Sequence, residues 1–291
     1  MIILEDRFNT IDRLSELKKN LSYLDLKDEN SSITIKQEGY VTPLSITPLA
    51  AIISKKQLVI KSKGENTSYL DTVSFPYGVS DIRSILADRT YIPIIHLRIN
   101  SIPSMVTNQL NEIHGIFIRL LKSNIIADPE FVQLITDQTI GFVVSEVIDN
   151  IDQHSKAENL FLFAQYWKRI NTCEICIVDD GIGIYRSLLH AGRDVQSPMD
   201  AMNKMITSGL SSKFEYSGSQ RGTGIKNIRD ALTNREIKGE FLIISDSVGF
   251  IHSMQNGEKF LNFAPYSWSG TIIMLRFSKP TMPFDLYKYV K

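Results

Sequence analysis

The sequence predicts an α/β protein in two parts, a smaller α/β domain over 1–104 and a larger one over 105–291. Three observations lead there. Short apolar runs alternate with helical patterns as far as Ile99, as in small α/β units. An amphipathic pattern from Met105 to Lys122 (Leu110, Ile113, Phe117, Leu120, Leu121) joins the halves or opens the second. Beyond residue 155 the pattern turns β-rich. A chain of 291 residues fits two domains or one large one.

In the first part, Phe8 to Leu26 carries apolar residues at Ile11, Leu14, Leu17, Leu21 and Leu24, which predicts a helix. Asp25 to Ser32 is a polar break. Strand Ile33–Ile35, helix Pro48–Ser54 and strand Leu58–Ile60 follow, with Ser68 to Phe75 and Arg83 to Leu86 read as further helical turns. Tyr91 to Ile99 is a β-rich run containing Pro93. In the second part, Asn159–Trp167 and Thr172–Val178 predict an antiparallel pair, and Pro198–Ser208 an amphipathic helix. A helix begins at Ile225, and three strands finish the chain: Glu240–Ser245, Gly249–Met254 and Thr271–Phe277.

Within the second part lies Gly141 to His154. Ile140, Val143, Val144, Val147, Ile148 and Ile151 form one apolar helical stripe. Glu146, Asp149, Asn150, Gln153 and His154 occupy the other side, with no Lys or Arg among them. Glu146 and Asn150 are one turn apart and therefore neighbours. A carboxylate can orient water, and an amide oxygen is a hard ligand suited to Mg²⁺. An ordinary amphipathic helix with an acidic outer face accounts for the same residues, so this stretch alone does not decide.

The strand ending at Val178 runs into Asp179-Asp180-Gly181-Ile182-Gly183-Ile184. Two glycines one residue apart let backbone approach a planar ligand, and an aspartate there can accept from an exocyclic amine. A tight turn is the plainer reading of the same residues. Gly209 to Arg221 is rich in Gly and Ser, carries Lys213 and Arg221, and leads through Gly222-Thr223-Gly224-Ile225 into a helix. Amides at a helix start form an anion cradle, and the two cations suit a terminal phosphate. The chain has no GxxxxGK[ST] loop and no strand–GxGxxG–helix signature, which argues against P-loop and dinucleotide-binding folds.

Composition narrows the function classes. At 43% hydrophobic and 22% charged residues the chain can bury a substantial core. Lys plus Arg equals Asp plus Glu at 32 each, so no global field favours nucleic acid or an acidic membrane. The start, Met1 to Arg7, lacks signal-peptide character, and no apolar run reaches the roughly 20 residues of a span. A cytoplasmic protein is expected. Both cysteines lie in Cys173-Glu174-Ile175-Cys176 on a predicted strand, where they point to opposite faces. Without a second pair they read as buried thiols rather than a zinc site.

Four signals thus stand in order: ExxxN on a helix, DxGxG after a strand, RGxGI opening a helix, and SGT opening the final strand. Together they resemble the N box and the three glycine boxes of the GHKL ATPase superfamily (gyrase, heat-shock chaperone, histidine kinase, MutL), over roughly Met105 to Pro280. The resemblance implies a Bergerat α/β sandwich, a mixed, largely antiparallel sheet with helices on one face. It implies ATP and Mg²⁺, with Glu146 as general base and Asn150 as metal ligand. Asp179 would accept from the adenine amine, with Gly181, Gly183 and Ile184 at the base and Thr271 supporting it. Gly222, Thr223, Gly224 and Ile225 would wrap the phosphates, and Gly209 to Arg221, with Lys213, would form a closing lid. Leu44 to Ala51 and Tyr69 to Phe75 faintly resemble STAS-like modules.

The expected activity is Mg-dependent ATP hydrolysis, with lid closure switching a protein partner or ATP-dependent self-association. A serine kinase is the alternative, because Glu146 to Ser155 is also similar to anti-sigma-factor kinases. A nucleotide-gated binder that does not hydrolyse is a third reading. His96 and His114 lack the acidic and proline neighbours of a histidine-kinase phosphoacceptor.

Overall fold

A computed structural model describes residues 1–4, 10–62, 68–85, 90–99, 157–211, 224–233, 235 and 237–278, together with 108, 111, 112, 115 and 116. It is a mixed α/β structure with two sheets. The smaller is parallel, in the order β1 (Ile2–Leu4), β2 (Ser32–Gln37), β3 (Val59–Ser62). Helix α1 (Thr10–Asp25) links the first two strands and α2 (Pro43–Lys55) the last two. A short helix, α3 (Ser68–Thr72), and a 3₁₀ turn at Ile82–Ser84 lead to β4 (Tyr91–Arg98).

The larger sheet has seven strands in the order β4, β5 (Asn159–Trp167), β6 (Thr172–Asp179), β10 (Trp268–Ser278), β7 (Glu240–Asp246), β8 (Val248–Ser253), β9 (Gly257–Asn262). Every neighbouring pair is antiparallel. The edge strand β4 comes from the N-terminal side of the expected boundary at residue 104, so the large sheet draws on both parts of the sequence. Helices α4 (Gly183–His190), α5 (Pro198–Ser208) and α6 (Gly224–Leu232) follow β6 in the chain. Ser197 caps α5 by accepting from Asp200 N–H at 3.1 Å, Pro198 opens it, and Gly209 closes it at φ 69°.

Alternation along β6 divides the core. Cys173, Ile175 and Ile177 join one buried cluster with Met202 and Ile206 of α5 and Ile228 and Leu232 of α6. Cys176 and Val178 join the other, with Leu44 to Ile53 of α2 and Leu14 to Leu24 of α1. The two cysteines lie on opposite faces, buried and free, as the strand pattern predicts. Burial pushes both thiols up, helped by the Glu174 charge. The α4–α6 helices thus serve one face, whereas α1 and α2 cover the other and bury it fully.

The composition of α2 follows from that position. Ten of its thirteen residues are buried, and a helix apolar all round belongs between layers rather than at a surface. It packs along β5 and β6, and its cluster takes in Ile2 and Leu4 of β1 and Ile33 and Ile35 of β2. A buried ion pair fastens the layers. Arg13 Nη1 of α1 donates to Glu174 Oε2 of β6 at 2.8 Å, both side chains being essentially inaccessible. Glu174 Oε1 also accepts Leu44 N–H at the start of α2, at 3.1 Å, a helix end that favours negative charge. Among the described residues no helix is long and apolar enough to cross a membrane.

Several sequence expectations are corrected here: Ile2–Leu4 is a strand that was not foreseen, and α2 starts at Pro43 rather than Pro48. The final part has four strands, not three, because Gly257–Asn262 forms β9. β10 begins at Trp268 rather than Thr271. Gly183 to His190, starting at the second glycine of the predicted loop, is a helix.

Candidate functional site

Because β10 runs antiparallel to both its neighbours, the C-terminal ends of β6 and β7 meet its N-terminal end at one edge of the sheet. Asp179 ends β6, Ser245 and Asp246 end β7, and Trp268 to Thr271 begin β10. The β7–β10 register shifts between Trp268 and Thr271, so Ser269 and Gly270 bulge out of the ladder.

Asp179 lies at the centre and is only 4% exposed. Its Oδ1 accepts Gly181 N–H at 2.9 Å, and Thr271 reaches the carboxylate through both side chain and backbone. Burial pushes the carboxyl up to about 7; the Gly181 N–H opposes this, the Asp180 charge adds to it, and Thr271 opposes it. Among the described residues only N–H and O–H donors, and no cation, help to keep this carboxylate charged. A buried acid so arranged accepts a further hydrogen-bond donor readily.

The loop after Asp179 is fitted closely to β7 and β10. Gly183 has φ 76°, and a Cβ there would come within 2.7 Å of Ser245 Oγ and 3.1 Å of Ser269 O. A Cβ on Gly270 would lie 2.1 Å from Asp179 O and 2.6 Å from its Oδ1. These two glycines are therefore required by internal packing, a reason the sequence did not disclose. Ser245, 2% exposed, accepts Ile184 N–H at 2.9 Å and donates to Gly270 O at 2.9 Å. Asp246 accepts Tyr185 N–H; burial raises its carboxyl, with Arg186 opposing. Helix α4 has Ile182 at its N-cap and no capping side chain of its own, so Ser245 and Asp246 cap it from β7.

Asp180 serves a different end. Its Oδ1 accepts the Glu158 and Asn159 N–H groups at 2.9 Å each, and its Oδ2 accepts Asn159 Nδ2 at 2.7 Å. Asn159 Oδ1 in turn meets His96 Nε2 at 2.8 Å, and the His96 ring stacks on Phe161 at 4.2 Å. His96 is engaged in a chain that ties β4 and β5 to the end of β6.

Of the residues singled out in the sequence, Asp179, Gly181, Gly183, Ile184 and Thr271 come together in this one neighbourhood. Gly224 opens α6, and Ile225 packs on the same core cluster as Ile184. Glu146, Asn150, Lys213, Arg221, Gly222 and Thr223 lie outside the described residues. Ser245, Asp246 and Trp268 were missed. Their only local signal is their place at strand ends, and their partners are distant in sequence. Among the described residues no group of His, Cys, Asp and Glu is arranged to hold a metal ion. The chain matches no protein-family model and no curated protein.

Proposed function

We propose that this chain binds an adenine nucleotide at the β6–β10–β7 edge and hydrolyses ATP there, as a Bergerat-type ATPase. The observation that carries the reading is Asp179: a buried carboxylate, pushed up to about 7, lacking a cation among the described residues and ready to accept a donor such as an exocyclic amine. Thr271 beside it supports the same contact, and α6 opens with Gly224 where a phosphate-wrapping loop should end.

In this reading Glu146 orients the attacking water, and Asn150 is the oxygen ligand for Mg²⁺. The ion, when bound, would neutralise charge on the phosphates. Lys213 and Arg221 on the Gly209–Arg221 lid answer the terminal phosphate, and lid closure signals occupancy to a protein partner or a second copy. Catalysis is then mostly positioning and charge stabilisation.

The test is calorimetry with ATP and Mg²⁺ on the parent and on Asp179→Asn. That change turns one acceptor oxygen into a donor facing the amine. Leaving one buried polar group unpaired costs about 1–3 kcal/mol, so affinity should fall roughly tenfold to a hundredfold. Unchanged affinity in a folded variant refutes the assignment.

A further inference from the structure

The α2 layer reaches the back of the candidate site at two points. Trp268 is 4% exposed and belongs to the core cluster formed by Leu44 to Ile53 of α2. Its Nε1 donates to the carbonyl oxygen of Asp179 at 2.9 Å. One side chain therefore packs in the interlayer core and holds the backbone of the residue whose carboxylate faces Gly181 and Thr271. At the C-terminal end of α2, the exposed Lys55 donates to Ser269 Oγ at 3.0 Å, within the β10 bulge. The N-terminal end of the same helix is fixed to β6 through Leu44 N–H and Glu174. A closely packed helix anchored at both ends cannot shift without altering one of these contacts.

We propose that the β1–α1–β2–α2–β3 unit is coupled to nucleotide occupancy of the site, with Trp268 as the positioning residue that joins them. This rests on the nucleotide reading above and adds its regulation. A nucleotide that fixes Asp179 fixes the Trp268 indole and the bulge, and through them the end of α2. By reciprocity, anything that binds or displaces the N-terminal unit changes nucleotide affinity by the same factor. Trp268 and Lys55 lie in separate contacts, so each can be altered without removing the other.

The chain has two tryptophans, so Trp167→Phe leaves Trp268 as the sole emitter. Titrating ADP with Mg²⁺ into that variant should change Trp268 emission with the midpoint found by calorimetry. Hydrogen exchange at Ile52 to Lys56 should slow when ADP is bound. Trp268→Phe keeps an aromatic ring in the core but removes the donor, and should weaken ADP about threefold to tenfold. Lys55→Met, at an exposed position, should weaken it about twofold to threefold and keep the parental melting temperature.

Calorimetric ADP binding with unchanged Trp268 emission, unchanged exchange in α2 and parental affinity in both variants overturns the coupling and leaves the nucleotide reading intact. A parent that binds no ADP overturns both. If Trp268→Phe fails to fold, Lys55→Met and the exchange measurement decide the question.

Discussion

Replacing Asp179 with Asn should change how stability depends on pH. The carboxyl has an ordinary value of 3.8 and is pushed up to about 7 in the fold. Between those values the folded chain binds a proton that the unfolded chain has released. The protonated acid therefore contributes stability that is fully present below about pH 4 and is lost as pH rises through about 7. At about 1.4 kcal/mol per pKa unit, ionising Asp179 costs on the order of 4 kcal/mol by pH 8. About 2–3 kcal/mol of that should accrue between pH 5 and pH 8. Asp179→Asn has no such proton, so its stability relative to the parent should rise by that amount over the interval. Urea unfolding of both proteins at pH 5, 6.5 and 8 measures the difference directly. Parallel pH profiles for parent and variant would refute the argument that burial opposes this charge. A bound adenine amine should shrink the effect, because a donor at the carboxylate favours its ionised form.

Three further outcomes are expected. Glu146→Ala should still bind ATP while hydrolysis falls 10²–10⁴-fold, whereas Asn150→Ala should lose binding as well as turnover; separate binding and phosphate-release assays check the split. Ser245→Ala leaves Ile184 N–H and Gly270 O without their shared hydroxyl, and should lower stability by about 1–3 kcal/mol in denaturant titration. Glu174→Ala strands Arg13 in the core and should cost about 3–5 kcal/mol, whereas replacing both Arg13 and Glu174 with apolar residues should recover much of that on thermal unfolding.

Much of this fold is legible in the sequence where burial is uniform. Asn159–Trp167 and Thr172–Val178 read as strands because they are apolar along much of their length, and they pair antiparallel as expected. The Asp-x-Gly-x-Gly loop at the end of β6 is equally readable, since a strand end followed by glycines is a local signal. What could not be read depends on distant partners. Nothing in Trp268–Ser278 says that it inserts between β6 and β7, yet that insertion builds the site. Helix α4 was missed because its N-terminal N–H groups are satisfied from Ser245 and Asp246, some 60 residues on. β9 was missed because Gly257-Glu258-Lys259 at a sheet edge is exposed and charged, the pattern that protects edges and hides strands. For α2, helical character was visible, but not that it lies between layers. An unbroken apolar surface says only that something covers it.

The central claim is that the Asp179 carboxylate receives the amine of adenine. ADP and purine riboside diphosphate differ at that position alone, an amino group in one and a hydrogen in the other. Calorimetric titration of the intact chain with each, in the presence of Mg²⁺ at pH 8, isolates the contact. ADP should bind at least about tenfold more tightly, because without the amine the buried carboxylate is left without its donor. Equal affinity for the two nucleotides, or binding of neither, would contradict it.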